Sequence, residues 1–237
     1  MFRTLASAWL TDLLPATCPF CTMAHERGPA RVCRWCRQAL AGAQTRRCPR
    51  CALPAPGGGP CLRCRARASA LDGVITLADY APPLSDAIAG LKFRACTALA
   101  GPLAEALAQT VRMHQPSPMW PGLLVPMPLS PARQRERGYN QAALLSRRLA
   151  RTLAVPQASH ALRRSGLAAD AHQLGRSRRA RTSADLGRFH AEPGLCHGHI
   201  ALIDDVMTTG ATLEAAARAL RAAGASRITA WVLARTA

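Results

Sequence analysis

Two neighbouring carboxylates, followed by a turn of small residues, hold the most chemical information in this chain. The stretch from His199 to Thr212 reads HIALIDDVMTTGAT. An apolar run delivers Asp204 and Asp205 at the carboxyl end of a strand, and the turn after them opens directly into a helix. Gly210 lets that turn close tightly, so successive amide N–H groups of Thr208, Thr209, Gly210, Ala211 and Thr212 can converge on a phosphate. The helix N-terminus adds partial positive charge, and the threonine hydroxyls add donors. It is not a Walker loop, because no lysine follows the glycine and two acids precede it.

A second set of chemical residues lies near the start. Cys18 and Cys21, Cys33 and Cys36, Cys48 and Cys51, and Cys61 and Cys64 form four pairs, each with two intervening residues. Two thiolates at that spacing point at one ion from a tight knuckle, and a second pair completes the tetrahedron that zinc prefers. Full thiolate coordination leaves no open position for catalysis, so both sites read as structural zinc. A disulfide reading needs an oxidising compartment, against which the absence of a signal-peptide pattern argues. Pairing the first two knuckles and then the last two gives a double zinc ribbon; interleaving them gives a cross-brace. The Pro-Gly loop from Pro54 to Pro60 favours the sequential arrangement. Cys96 and Cys196 stand alone and read as small buried side chains.

The elements that must position these groups divide the chain near residue 68. Residues 1–68 are rich in Cys, Arg, Pro and Gly and poor in strand or helix patterning. Residues 69–237 alternate apolar runs with amphipathic stretches. Strands are expected at Gly73–Tyr80, Leu123–Val125 (stopped by Pro126 and Pro128), Ile200–Ile203 and Ile228–Leu233. Helices are expected at Leu84–Phe93, Ala98–Met113, Tyr139–Leu153 and Thr212–Ala223, the last closed by Gly224. Arg163 to Arg188 is Arg-dense and weakly periodic, as in an exposed flap. Strands alternating with helices imply an α/β fold with a mainly parallel sheet, whose ligands sit at strand carboxyl ends. Met1 to Cys18 has helical apolar spacing that Thr11 and Asp12 interrupt, which suits an amphipathic helix better than a signal peptide. The expected location is cytoplasmic.

The formal charge is +18, from 31 basic and 13 acidic residues, which suits phosphate-bearing partners. Lys92 is the sole lysine among them. The Arg and Ala crowding that GC-rich coding produces discounts the charge as evidence of binding, and it singles out Lys92 as a place where a compact ammonium is wanted.

The stretch from Ile200 to Thr212 resembles the 5-phosphoribosyl-1-pyrophosphate (PRPP) motif of type I phosphoribosyltransferases: apolar residues, two acids, then a Thr/Gly-rich loop. The resemblance implies that Asp204 and Asp205 hold the ribose hydroxyls and that Thr208 to Thr212 grip the 5′-phosphate. Two further blocks narrow it. Tyr80-Ala-Pro-Pro-Leu-Ser-Asp86 leading to Leu91-Lys92-Phe93, and Val125-Pro-Met-Pro-Leu129 followed by Arg133 and Arg137-Gly-Tyr-Asn-Gln141, are similar to the ComF family. With the cysteine pairs they follow that family's order over nearly the whole chain. One region departs: Arg181 and Phe189 keep the family register, but Ala184 and Asp185 replace an Asn-Leu pair.

The resemblance implies a phosphoribosyl transfer from Mg-PRPP, in which pyrophosphate leaves C1 of the ribose. Lys92 and Arg94 are placed near the pyrophosphate, and Arg137, Asn140 and Gln141 beside the pocket. Structural roles compete for the last three: Arg137 as a cap on the preceding strand, Asn140 as a helix start. His172, His190 and His199 read as solvated or core histidines. Besides an enzyme, the resemblance allows a single-stranded DNA-binding protein linked to DNA-uptake machinery or DNA utilisation, or a PRPP-sensing regulator. Against the second stands the scarcity of aromatics interleaved with basic residues; Trp35 is the best stacking candidate, and packing on its zinc knuckle is the competing role.

Overall fold

A computed structural model of the chain describes residues 16–25, 32–42, 46–115, 119–165, 189–194 and 197–236. The expected N-terminal helix, Cys196, His172 and most of the expected flap, including Arg181, Ala184 and Asp185, lie outside the described residues. Among the described residues no helix is long and apolar enough to cross a membrane.

The central sheet has four parallel strands, β3 (Gly73–Asp79), β4 (Leu123–Pro126), β7 (Gly198–Met207) and β8 (Ala225–Arg235), in the order β3-β8-β7-β4. β7 and β8 are longer than their apolar cores suggest, because the ladder continues through polar positions: Asp204 pairs with Val232 and Met207 with Arg235. β4 ends on Pro126, which an edge strand tolerates because its missing N–H breaks no ladder on the open side. The two central strands are apolar on both sides, as a parallel sheet covered on both faces requires. Ala201, Ile203, Trp231 and Leu233 face one layer, while Ile200, Leu202, Ala230 and Val232 face the other.

The first layer consists of α3 (Leu84–Phe93), α4 (Ala100–His114, entered by a 3-10 turn at Thr97–Leu99) and α6 (Gln141–Leu153). The second contains α7 (Ala211–Ala222) and a small antiparallel pair, β5 (Leu162–Arg164) and β6 (Phe189–Ala191). α5 (Pro131–Arg137) was not expected from apolar periodicity, since it has no buried residue. Its ends are nevertheless written locally. The Ser130 hydroxyl caps it, Pro131 starts it, and Gly138 ends it at φ +76°.

The cysteine-rich segment contributes the hairpin β1 (Ala16–Thr17) and β2 (Ala24–His25), then α1 (Arg34–Gly42) and the short α2 (Leu62–Arg65). Its first half joins the α3 layer, with Cys18, Phe20, Val32, Cys33 and Cys36 buried in the same apolar cluster as Leu77 and Leu84. The second half docks at β3 and β8: Val74 N–H donates to the Pro49 carbonyl at 2.9 Å, and Arg47 Nη1 reaches Asp79 Oδ1 at 2.8 Å. Two expectations fail here. Cys96 is exposed, its thiol turned to the Arg94 carbonyl at 3.4 Å, because it sits on an irregular turn rather than in a packed element. Trp35 stands 67% exposed on α1 with the Arg34 guanidinium 4.7 Å over its ring, so it does not pack into the knuckle.

Candidate phosphate pocket and zinc sites

At the carboxyl end of β7 a cavity of about 770 Å³ opens, lined by Asp204, Asp205, Thr208, Gly210 and Thr212. The last turn of α3 brings in Lys92, whose Nζ lies 2.9 Å from Asp205 Oδ1. The Asp205 side chain is only 4% exposed, and its second oxygen, Oδ2, is buried with no hydrogen-bond partner among the described residues. Asp204 Oδ1 accepts the Asp205 N–H at 2.9 Å. Burial, and then the charge of Asp205, push the Asp204 carboxyl up to about 8. The Lys92 ammonium, ion-paired with Asp205, offsets part of that push.

The loop after the acids has the shape a phosphate needs. Gly210 adopts φ +81°, the left-handed region, and a Cβ there would meet Met207 Cε at 2.5 Å. The first-turn N–H groups of α7 have no intrahelical acceptor, Gly210 has no side chain to cap them, and the helix dipole opens onto the cavity. Thr209 Oγ1 accepts the Ala211 N–H at 3.3 Å. One turn on, Glu214 holds the chain that leaves the second ribbon: it accepts from Ala70 N–H at 2.8 Å and the Ser69 hydroxyl at 2.7 Å.

The block from Arg137 to Gln141 divides between pocket and scaffold. Arg137 and Gln141 line the cavity, with Arg137 Nη1 donating to Gln141 Oε1 at 2.7 Å and its guanidinium 5.4 Å over the Phe93 ring. Asn140 is the N-cap of α6, accepting from Ala142 and Ala143 N–H while its amide donates to the Met127 carbonyl at 2.9 Å. The Tyr139 hydroxyl donates to the Leu91 carbonyl, which fixes α3 and so Lys92. Arg94 points elsewhere. It is exposed and folds back to the Asp86 carbonyl at 3.0 Å. Arg133, which belongs to the same block, and Arg164, which no motif marks, also line the cavity. His199 is half-buried with Nε2 3.1 Å from Thr229 Oγ1, and His190 is exposed.

The eight cysteines form two groups, Cys18, Cys21, Cys33 and Cys36, then Cys48, Cys51, Cys61 and Cys64, with all sulfurs of a group within 4.8 Å of one another. The pairing is sequential. Zinc–sulfur bonds of about 2.3 Å in a tetrahedron place sulfurs about 3.8 Å apart. Cys21 and Cys33 stand at 3.7 Å and Cys51 and Cys61 at 3.8 Å, so both groups fit the ion. Burial opposes ionisation of Cys18, but N–H groups of Cys33, Cys21 and Phe20 outweigh it and lower the thiol to about 6. At Cys48 burial is likewise outweighed by N–H groups of Cys61, Arg50 and Cys51, giving about 7. Burial and neighbouring thiols push Cys36 and Cys64 up, so zinc must displace protons there.

A parallel sheet ending in two acids and a glycine-turned loop, behind paired four-cysteine sites, defines a phosphoribosyltransferase fold with a double zinc ribbon. Residues 9–65 match the double zinc ribbon domain, and residues 136–237 match the phosphoribosyl transferase domain. The chain is 34% identical over 226 residues to the DNA utilization protein YhgH of Escherichia coli K12, covering 94% of this chain and 98% of that one. It is 32% identical over 186 residues to competence protein F of Haemophilus influenzae, covering 74% and 78%. Against competence protein ComFC of Bacillus subtilis it is 29% identical over 216 residues, covering 87% and 85%. The chain belongs to the ComF family.

Proposed function

We propose that this protein binds Mg-PRPP in the β7–α7 pocket and transfers its phosphoribosyl group to a nucleophile with release of pyrophosphate, in the service of DNA uptake or utilisation. The observation that supports this most is Asp205. A carboxylate oxygen buried without a partner among the described residues, beside a helix N-terminus whose N-cap glycine has no capping side chain, suits a ligand with hydroxyls next to a phosphate. Asp204 and Asp205 orient the ribose through its hydroxyls, and Thr208 to Thr212 hold the 5′-phosphate. The reaction breaks the bond from C1 to the pyrophosphate oxygen and forms one from C1 to the acceptor, whose proton is lost. Lys92 stands where it can release Asp205 to the sugar and turn its ammonium to the departing pyrophosphate. Arg133 and Arg137 add positive charge to the same cavity. Mg2+ bound with the diphosphate would offset further charge on the leaving group; an open, carboxylate-bearing pocket suits such a hard cation.

Residues 1–68 form the ribbon unit and residues 69–237 the catalytic unit, in a cytoplasmic protein. The relatives' names, DNA utilization protein and competence protein, support the DNA context. One observation favours a second activity, binding of single-stranded DNA by the ribbons: Trp35 stands exposed beside a stacked arginine, as base-stacking platforms do. Calorimetric titration of PRPP with Mg2+, followed by a pyrophosphate-release screen over nucleobases, tests the first reading. Binding lost in Asp205→Asn supports it, and no binding by the wild type overturns it. Salt-sensitive DNA binding lost in Trp35→Ala supports the second, and binding unchanged by that substitution removes it.

A further inference from the structure

Arg235 ends β8 and is buried. Its Nε donates to the carbonyl of Cys51 at 3.0 Å, and Cys51 is a ligand of the second four-cysteine site. Its Nη1 donates to the carbonyls of Met207, at 3.1 Å, and of Thr208 and Thr236. One guanidinium thus spans the knuckle of the second ribbon and the first residues of the phosphate loop. The planar fork suits this task, because it offers several fixed N–H directions that a lysine lacks.

The peptide geometry gives the contact a consequence. In a trans peptide the C=O of one residue and the N–H of the next point in opposite directions. Holding the Met207 and Thr208 carbonyls therefore turns the N–H groups of Thr208 and Thr209 away from Arg235. Those are amides of the loop that lines the cavity. The Cys51 carbonyl is fixed in turn by the ribbon. The knuckle is closed by Ala52 N–H donating to the Cys48 carbonyl at 2.8 Å, and Arg47 Nη1 ties Ala52 O, at 3.0 Å, to Asp79. The knuckle keeps its shape because four sulfurs converge on one point, and a metal there holds them against their mutual repulsion as thiolates.

We propose that Arg235 is a positioning residue that couples metal loading of the second four-cysteine site to the order of the Thr208–Ala211 loop, and through it to affinity for the ligand's phosphate. The second ribbon is then part of the phosphate site's support, while the first ribbon, which joins the opposite layer, is not. The phosphate half of this statement rests on the reading of the pocket given above; the loop-order half does not.

Hydrogen exchange of the full-length, zinc-loaded protein tests it. Arg235→Lys keeps the charge and all eight cysteines but loses the fork, and Cys64→Ser opens the second site. In both, the Ala211 amide, which Thr209 Oγ1 accepts at 3.3 Å, and the Thr236 amide, which the Met207 carbonyl accepts at 3.1 Å, should exchange at least about tenfold faster, the scale of a lost hydrogen bond to a charged group. Cys36→Ser, which opens the first site, should leave them unchanged, and the Ile200–Ile203 amides should stay as slow as in the wild type throughout. Wild-type loop rates in Arg235→Lys overturn the proposal, as does equal loosening by Cys36→Ser. Loss of Ile200–Ile203 protection in Arg235→Lys also overturns it, because Arg235 would then serve the whole fold. A parallel PRPP titration should show at least about tenfold weaker binding to Arg235→Lys. A wild type that fails to bind PRPP sinks the pocket reading and leaves the exchange result to stand by itself.

Discussion

Replacing Asp204 by Asn should make the protein more resistant to unfolding at alkaline pH, although it removes a residue from the pocket. Asp204 has an ordinary carboxyl value of 3.8 and is pushed up to about 8 in the fold, first by burial and then by Asp205. Between those values the folded protein keeps a proton that the unfolded chain gives up. The contribution of this group to stability is therefore full below about pH 4 and is lost as pH rises through about 8. Each pH unit costs about 1.4 kcal/mol, so the ceiling from pH 5 to pH 8 is about 4 kcal/mol. Asp204 is half-buried and shares its charge with Asp205 and Lys92, which reduces the expected loss to about 2 kcal/mol. For a chain of this size that is about 4–8 °C in Tm. Asn cannot ionise, so the gap in Tm between variant and wild type should widen by that amount from pH 5 to pH 8, in melts at fixed zinc. Titrating groups away from Asp205 and Lys92, the thiols included, are common to both proteins and cancel. A gap that stays constant would show that Asp204 ionises freely, and a gap that narrows would show a low carboxyl pKa. Either would refute the picture of two acids sharing one cation.

Gly210→Val should cost about 1–2 kcal/mol for placing a side chain at φ +81°, seen in urea melts, and should abolish PRPP binding in calorimetry because the amide cradle opens. Emission spectrometry should find two zinc ions per chain, and a strong chelator should lower Tm under native conditions; an unchanged Tm would make the four-cysteine sites irrelevant to the fold. Lys92→Met leaves Asp205 buried without its cation and should destabilise by about 3 kcal/mol at pH 8, whereas Lys92→Arg should fold but bind PRPP at least about tenfold more weakly. Equal PRPP affinity in Lys92→Arg would mean that charge alone matters at that position.

Much of the fold was legible because its signals are local. The apolar runs of β7 and β8, the cysteine spacing and the glycine after the acids each lie within a dozen residues and dictate their own geometry. The boundaries drifted where the cause was not local. β7 runs past Ile203 to Met207 because β8 continues alongside it, and the acids are therefore still in the ladder when they reach the pocket. α5 escaped an apolar-period search because it buries nothing, although Ser130, Pro131 and Gly138 mark its ends. Cys96 and Trp35 were misplaced by the same rule of thumb, that cysteine and tryptophan go inside. Each sits on a short, poorly covered element, where burial depends on neighbours that a sequence window does not contain.

The cationic part of the site shows most clearly what a single sequence can and cannot say. Lys92 stood out because it is the sole lysine in an arginine-rich chain, and its Nζ does meet Asp205, the one acid among the described residues that is almost fully buried. No such contrast distinguishes Arg133, Arg137, Arg164, Arg235 and Arg94 from one another, because composition makes arginine the default cation. What separates them is register and direction. Arg235 pairs across the sheet with Met207 and so reaches the loop carbonyls. Arg94, two residues from Lys92, leaves the helix on the wrong side and bonds Asp86 instead. A helix turn of about 100° per residue puts positions two apart on opposite faces, so Lys92 and Arg94 could not both have entered the same pocket from one regular turn.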